Sequence, residues 1–113
     1  MLWGYTIEWR YSMATRHILC DQTEIILAVP LKNKYKHLNL TYEDISRIQF
    51  DACTERKLLF KTVPSEKITI MTGKHPGPVV FTRENEKKFW DEYKTNLTKF
   101  AKDNNITFAD NLH

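Results

Sequence analysis

From Arg83 to Asn104 the chain runs without a glycine or a proline, and its apolar residues fall on one stripe. At about 100° per residue, Phe89, Trp90, Tyr93, Leu97, Phe100 and Ala101 share an arc of about 120°, the width of a core-facing helical surface. Thr82 stands where an N-cap is wanted, and Glu84 and Glu86 follow in what would be the first turn. Glu84 and Lys88 have i,i+4 spacing, and Asn104-Asn105 ends the run. The spacing predicts a helix over about 83–104. Its four rings need a partner surface, because burying each contributes on the order of 1.5–3 kcal/mol before ordering entropy is subtracted.

The rest of the chain can supply only a sheet. Trp3, Tyr5, Ile7, Trp9 and Tyr11 alternate with small or polar residues, the period of a long strand with one buried face. Arg16 to Cys20 and Ile25 to Val29 read as a hairpin around Asp21-Gln22-Thr23-Glu24, closed by Pro30. His37 to Leu40 is a short strand. Thr41 and Asp44 are spaced like a capping box for one helical turn, and Ile45, Ile48 and Phe50 begin another strand. Asp51 to Glu55 reads as a turn, Lys57 to Val63 as the returning strand carrying Leu58, Leu59 and Phe60, and Pro64-Ser65-Glu66 as the next turn. Lys67 to Met71 alternates again. The run from Gly73 to Pro78 punctuates the chain, and Val79 to Phe81 is the last short strand. Strands over about 3–81, with turns every eight to twelve residues and no bridging helix, imply an antiparallel meander closed as a barrel or sandwich. In the tail, 105–113, the apolar residues Ile106 and Phe108 favour partial docking.

Composition narrows the class. The chain has 113 residues, 42% hydrophobic and 27% charged, with only two cysteines. One domain over 1–113 is expected, while disorder, collagen and a disulfide scaffold are excluded. Cys20 and Cys53 form no CxxC, and the histidines stand singly, so no metal or cofactor site is indicated. No apolar run has the length of a membrane helix. The N-terminus lacks the pattern of a secretory leader, so the expected location is cytoplasmic.

The strand succession, the segment Leu38-Asn39-Leu40-Thr41-Tyr42-Glu43-Asp44-Ile45-Ser46-Arg47-Ile48 and the closing helix with Trp90 together resemble the pleckstrin-homology (PH) superfold. The likeness is to its small bacterial PH-like and GRAM-like members, and it spans about Trp3 to Asn104. The resemblance implies a mainly β, α+β fold: a strongly curved, seven-stranded antiparallel barrel capped by the C-terminal helix. Trp90 would be pressed into that barrel, with Phe89, Tyr93, Leu97 and Phe100 beside it. It also implies a binding role without catalysis, although a superfold hosts many ligands.

Candidate chemistry is sparse. Phosphoinositide-binding relatives carry a basic cluster at the first hairpin. Here that stretch has only Arg10, Arg16 and His17, and Ile18 stands where a second arginine is wanted, too few cations for a polyphosphate. The densest positive feature is Lys32, Lys34, Lys36 and His37. In an extended loop its three lysines share one side, suited to anionic lipid or an acidic partner. A solvated loop that deters edge pairing is the plain alternative. Rings on the first strand are better explained by a core face than by base stacking, and a net charge of +3 is too small to announce nucleic acid. Gly73-Lys74 lacks the rest of a phosphate loop. Ser12, Ser46 and Ser65 lack a nucleophile elbow, and Glu43 and Asp44 are adjacent rather than opposed. The expectation is therefore a non-enzymatic module with no catalytic residue. It would recognise a protein or peptide, or alternatively an anionic membrane through the Lys-rich loop. A strand edge or spare helix surface offers a route to a homo-oligomer.

Overall fold

A computed structural model describes residues 16–32 and 34–112. The strand expected over positions 3–11 lies outside them. The described chain is mainly β, with one α-helix. Its strands are β1 (Ile18–Cys20), β2 (Glu24–Pro30), β3 (Tyr35–Thr41), β4 (Ile45–Leu58), β5 (Lys61–Thr72), β6 (Val79–Thr82) and, after helix α1 (Trp90–Asp103), β7 (Thr107–Asp110).

These strands do not close into one barrel. They form a three-stranded sheet ordered β1-β2-β3 and a four-stranded sheet ordered β6-β5-β4-β7. β7 pairs parallel to β4, Arg47 to Phe50 facing Thr107 to Asp110, and so ends the second sheet on that side. The expectation of purely antiparallel pairing fails at the same place. Between the sheets the chain turns through a 3₁₀ turn, Tyr42–Asp44. There the Asp44 carboxylate accepts the Thr41 N–H at 2.9 Å and the Thr41 hydroxyl at 3.1 Å, the local pairing that the Thr41/Asp44 spacing anticipates.

Period-two patterning explains the registers. Ile25 faces Leu40 and Leu27 faces both Leu38 and Ile18, all buried. In the second sheet Phe108, Ile48, Ile70 and Val79 form one row across four strands, and Asp110, Phe50, Ile68 and Phe81 form the next. Phe50 and Phe108 meet edge to face, centroids 5.0 Å apart, a favoured ring geometry. Trp90, Tyr93, Leu97, Phe100 and Ala101 of α1 join both sheets in one buried cluster, with Phe89 half-buried beside it.

The helix starts later than its apolar spacing predicts. Thr82 is the end of β6, and its carbonyl accepts the N–H groups of Asn85 and Glu86. A 3₁₀ turn, Lys87–Phe89, then leads into α1. Tertiary partners hold Glu84 and Glu86 outside the helix: the Glu84 N–H reaches the Glu55 carboxylate, and Glu86 binds His17. At the other end Asn105 adopts φ 55°. The Ile106 N–H bonds the Ala101 carbonyl at 2.9 Å, which makes a Schellman ending that redirects the chain into β7.

A second correction concerns β4 and β5. Asp51 to Glu55 is not a turn, and Pro64-Ser65-Glu66 is not one either. Both segments lie within strands, and the reversal comes at Leu59-Phe60, between Leu58 and Lys61. Polar residues resemble a turn here because their side chains serve partners far along the chain: Asp51 accepts from Asn111, and Glu55 from Ser65 and the Glu84 N–H. The ladder outruns its neighbours, since β6 reaches only Lys67 and β7 only Phe50. Pro64 is tolerated opposite Thr54, where among the described residues no third strand asks for its missing N–H. The result is a long projecting hairpin on a molecule measuring 50 × 31 × 27 Å.

Candidate binding groove

Where the end of the first sheet meets β6, a groove of about 270 Å³ opens, lined by His17, Pro30, Tyr35, Val80, Phe81, Thr82, Asn85 and Glu86. Its floor is built by side-chain pairing. The His17 ring stacks on Tyr35 with centroids 4.6 Å apart, and its Nδ1 lies 2.8 and 2.9 Å from the two Glu86 carboxylate oxygens. A carboxylate only accepts, so Nδ1 carries the hydrogen. The His17 backbone N–H donates to the Tyr93 hydroxyl at 2.8 Å, and that hydroxyl donates to Glu86 at 3.4 Å. Burial pushes the Tyr93 phenol up to about 12. This set pins the start of β1 to α1 and holds the groove open.

The rim is apolar. Tyr35 and Val80 are exposed, and Pro30 lies beside them. Both β3 and β6 end their sheets, so among the described residues each has an outer edge that no strand pairs. Unpaired edges of this kind accept an added strand.

The residues singled out by sequence fall on two sides of this geometry. Lys32, Lys34 and Lys36 are exposed and, among the described residues, form no ion pair. They do not line one side of an extended loop, because the Leu31 N–H bonds the Lys34 carbonyl at 2.7 Å and closes a turn between β2 and β3. His37 is exposed within β3, opposite Ala28. Arg16 points elsewhere. Its guanidinium forks onto Glu92 at 2.7 and 3.1 Å and lies 4.2 Å over the Phe89 ring. The Glu92 hydrogen bond raises its pKa, and the charge is spent on holding the helix.

Glu66 performs a similar task on the other sheet. Its carboxylate accepts the Trp90 indole N–H at 2.8 Å and the Lys94 ammonium at 2.9 Å, with Arg83 at 3.4 Å. Burial acts to raise this carboxyl, but the hydrogen bonds from Trp90 and Lys94 and the charges of Lys94 and Arg83 outweigh it and hold it below the usual range. In a wider depression of about 440 Å³ between α1 and β7, the lining residues Glu66 and Lys94 are thus paired with each other.

Sequence reasoning missed Val80 and Glu86 as groove residues, and it missed the hairpin tip entirely. The signal for the tip was present: three consecutive apolar residues, Leu58-Leu59-Phe60, bounded by Arg56-Lys57 and Lys61 with no alternation. Among the described residues no group of His, Cys, Asp or Glu is arranged to hold a metal ion, and no helix is long and apolar enough to cross a membrane. A scan against protein-family models and searches of curated proteins and of solved structures return no match.

Proposed function

We propose that this chain is a non-enzymatic binding module of PH/GRAM-like type that accepts an extended protein or peptide segment at the groove between β3 and β6. The PH-like part of the reading rests on the succession of strands, the closing helix and the burial of Trp90 against the sheets. The peptide part rests on one observation: two strands that end their sheets flank a groove with exposed apolar residues, Tyr35 and Val80. Main-chain pairing supplies affinity in such a mode, and side-chain pockets supply selectivity. The exposed lysines of the β2–β3 turn give the groove a cationic margin, which favours an acidic segment over a basic one.

The test is selection of ligands from a displayed library of random linear peptides, followed by amide chemical-shift mapping on the full chain. Shifts concentrated at Tyr35–Thr41 and Val79–Thr82 are expected. Val80→Asp should weaken the selected peptide about tenfold, the loss of roughly one apolar contact in a pocket. Shifts confined to the outer face of α1, or affinity untouched by Val80→Asp, would overturn the reading.

A further inference from the structure

Beyond the groove, a separate feature calls for a different explanation. The β4–β5 ribbon runs on past its last neighbouring strand, with a register shift between Arg56 and Leu58, to the pair Leu58/Lys61. At its end Leu58, Leu59 and Phe60 are 68%, 81% and 99% exposed. Two-residue hairpin turns ordinarily draw on Asn, Asp and Gly for their backbone freedom. Leu59-Phe60 offers none of that freedom, so turn chemistry does not account for these residues. Folding does not account for them either, because among the described residues they stand outside the buried cluster.

The charge around them is one-sided. Arg56, Lys57 and Lys61 flank the tip, and from Arg56 to Val63 there is no acidic residue. The nearest carboxylate in the sequence, Glu55, is turned back along the ribbon toward Ser65 and the Glu84 N–H. Lys57 has only a 3.7 Å contact to Glu84 and is itself half exposed. At about 3.3 Å of rise per residue, the cations stand within roughly 7 Å of the apolar tip. Interfacial segments bury their apolar face about 5–10 Å deep, so these cations would sit among the headgroups.

We infer that the β4–β5 hairpin tip docks this protein on an anionic lipid bilayer, Leu58, Leu59 and Phe60 entering the interface while Arg56, Lys57 and Lys61 pair with acidic headgroups. A narrow convex point carrying bare apolar side chains on all sides is poorly matched to a folded partner, which would need a socket of the same shape. A fluid interface surrounds it without one. Shallow insertion also leaves the turn's backbone groups within reach of water and headgroups, which avoids the cost of burying them in hydrocarbon.

The experiment is co-sedimentation of the full chain with vesicles of phosphatidylcholine containing about 30% phosphatidylserine, compared with pure phosphatidylcholine, at low and high salt. Binding to the anionic vesicles that fades with salt is expected. Leu59→Asp/Phe60→Asp should lower the partition coefficient at least about tenfold. Replacing Arg56, Lys57 and Lys61 by Gln should lower it about fivefold per cation. Lys32→Gln/Lys34→Gln/Lys36→Gln should leave it within about twofold. The tip supports no core contact, so each variant should melt with the wild type, and thermal unfolding checks this. The inference is overturned by absence of wild-type binding to the anionic vesicles, or by tip variants that sediment as well as wild type. A wild-type dimer that the tip variant splits, without vesicle binding, overturns it in favour of self-association.

Discussion

Glu66 fastens the start of α1 to β5, and its removal can be costed from the contacts. Glu66→Ala deletes the acceptor of an indole N–H on a residue only 3% exposed. Stranding such a donor costs about 1–3 kcal/mol. The partly screened pairs with Lys94 and Arg83 add about 0.5–1 kcal/mol. The sum, about 1.5–4 kcal/mol, corresponds in a chain of this size to a Tm lower by roughly 6–17 °C. Glu66→Gln keeps an acceptor for Trp90 and loses only the charge, so it should cost about 1 kcal/mol. The folded carboxyl lies below its ordinary range. Its contribution is therefore fully present above the unfolded glutamate value and is lost as pH falls through the lower folded value. Glu66→Gln should consequently show a flatter acid limb. The assay is thermal unfolding followed by circular dichroism from neutral pH into acid, with Trp90→Phe as the second arm of a double-mutant cycle. If Glu66→Ala melts within about 2 °C of wild type, or if the Ala and Gln variants are equally destabilised, the anchoring role assigned to the indole bond is wrong.

Two further outcomes follow from the buried groups. Tyr93→Phe orphans the His17 N–H and should cost about 1–2 kcal/mol, read as a lower urea midpoint. In wild type the fold should also lose stability as pH rises from about 10, where the unfolded phenol ionises, to about 12, where the folded one does; the Phe variant should lack that loss. Burial pushes the Cys20 thiol up to about 12, with the Glu92 charge adding to the effect. At mildly alkaline pH iodoacetamide should therefore modify the half-buried Cys20 far more slowly in the native protein than in the urea-unfolded chain, and equal labelling rates in the two would refute this.

What could be read from the order of residues was what depends on short-range repetition. Ile25, Leu27 and Val29 against Leu38 and Leu40 announce paired strands, and the rings from Trp90 to Phe100 announce a helix that needs a sheet. The failures share a cause, namely partners far away along the chain. Glu84 and Glu86 look like first-turn acids until Glu55 and His17 are seen to hold them, which delays the helix to Trp90. Thr107 to Asp110 has too little apolar character to advertise a strand, and its pairing with Arg47 to Phe50 spans most of the domain. Asp51 to Glu55 breaks the apolar rhythm because Asp51 and Glu55 serve Asn111, Ser65 and the Glu84 N–H, so a strand was disguised as a turn. In the candidate site, Tyr35 and the lysines were visible as residues, but the groove was not. It exists only because Val80 and Glu86 arrive from the other sheet.

The parallel pairing of β7 has a consequence for how the polypeptide assembles. Its partner strand is the longest among the described residues, yet that flank has no other partner among them until the helix has formed and its left-handed Asn105 has steered the following residues back. During this interval one nascent molecule exposes a row of peptide groups ready to receive the same four residues from another. Intramolecular closure wins only because the Schellman turn delivers those residues locally. Loosening that turn would shift the balance toward exchanged, interlocked copies.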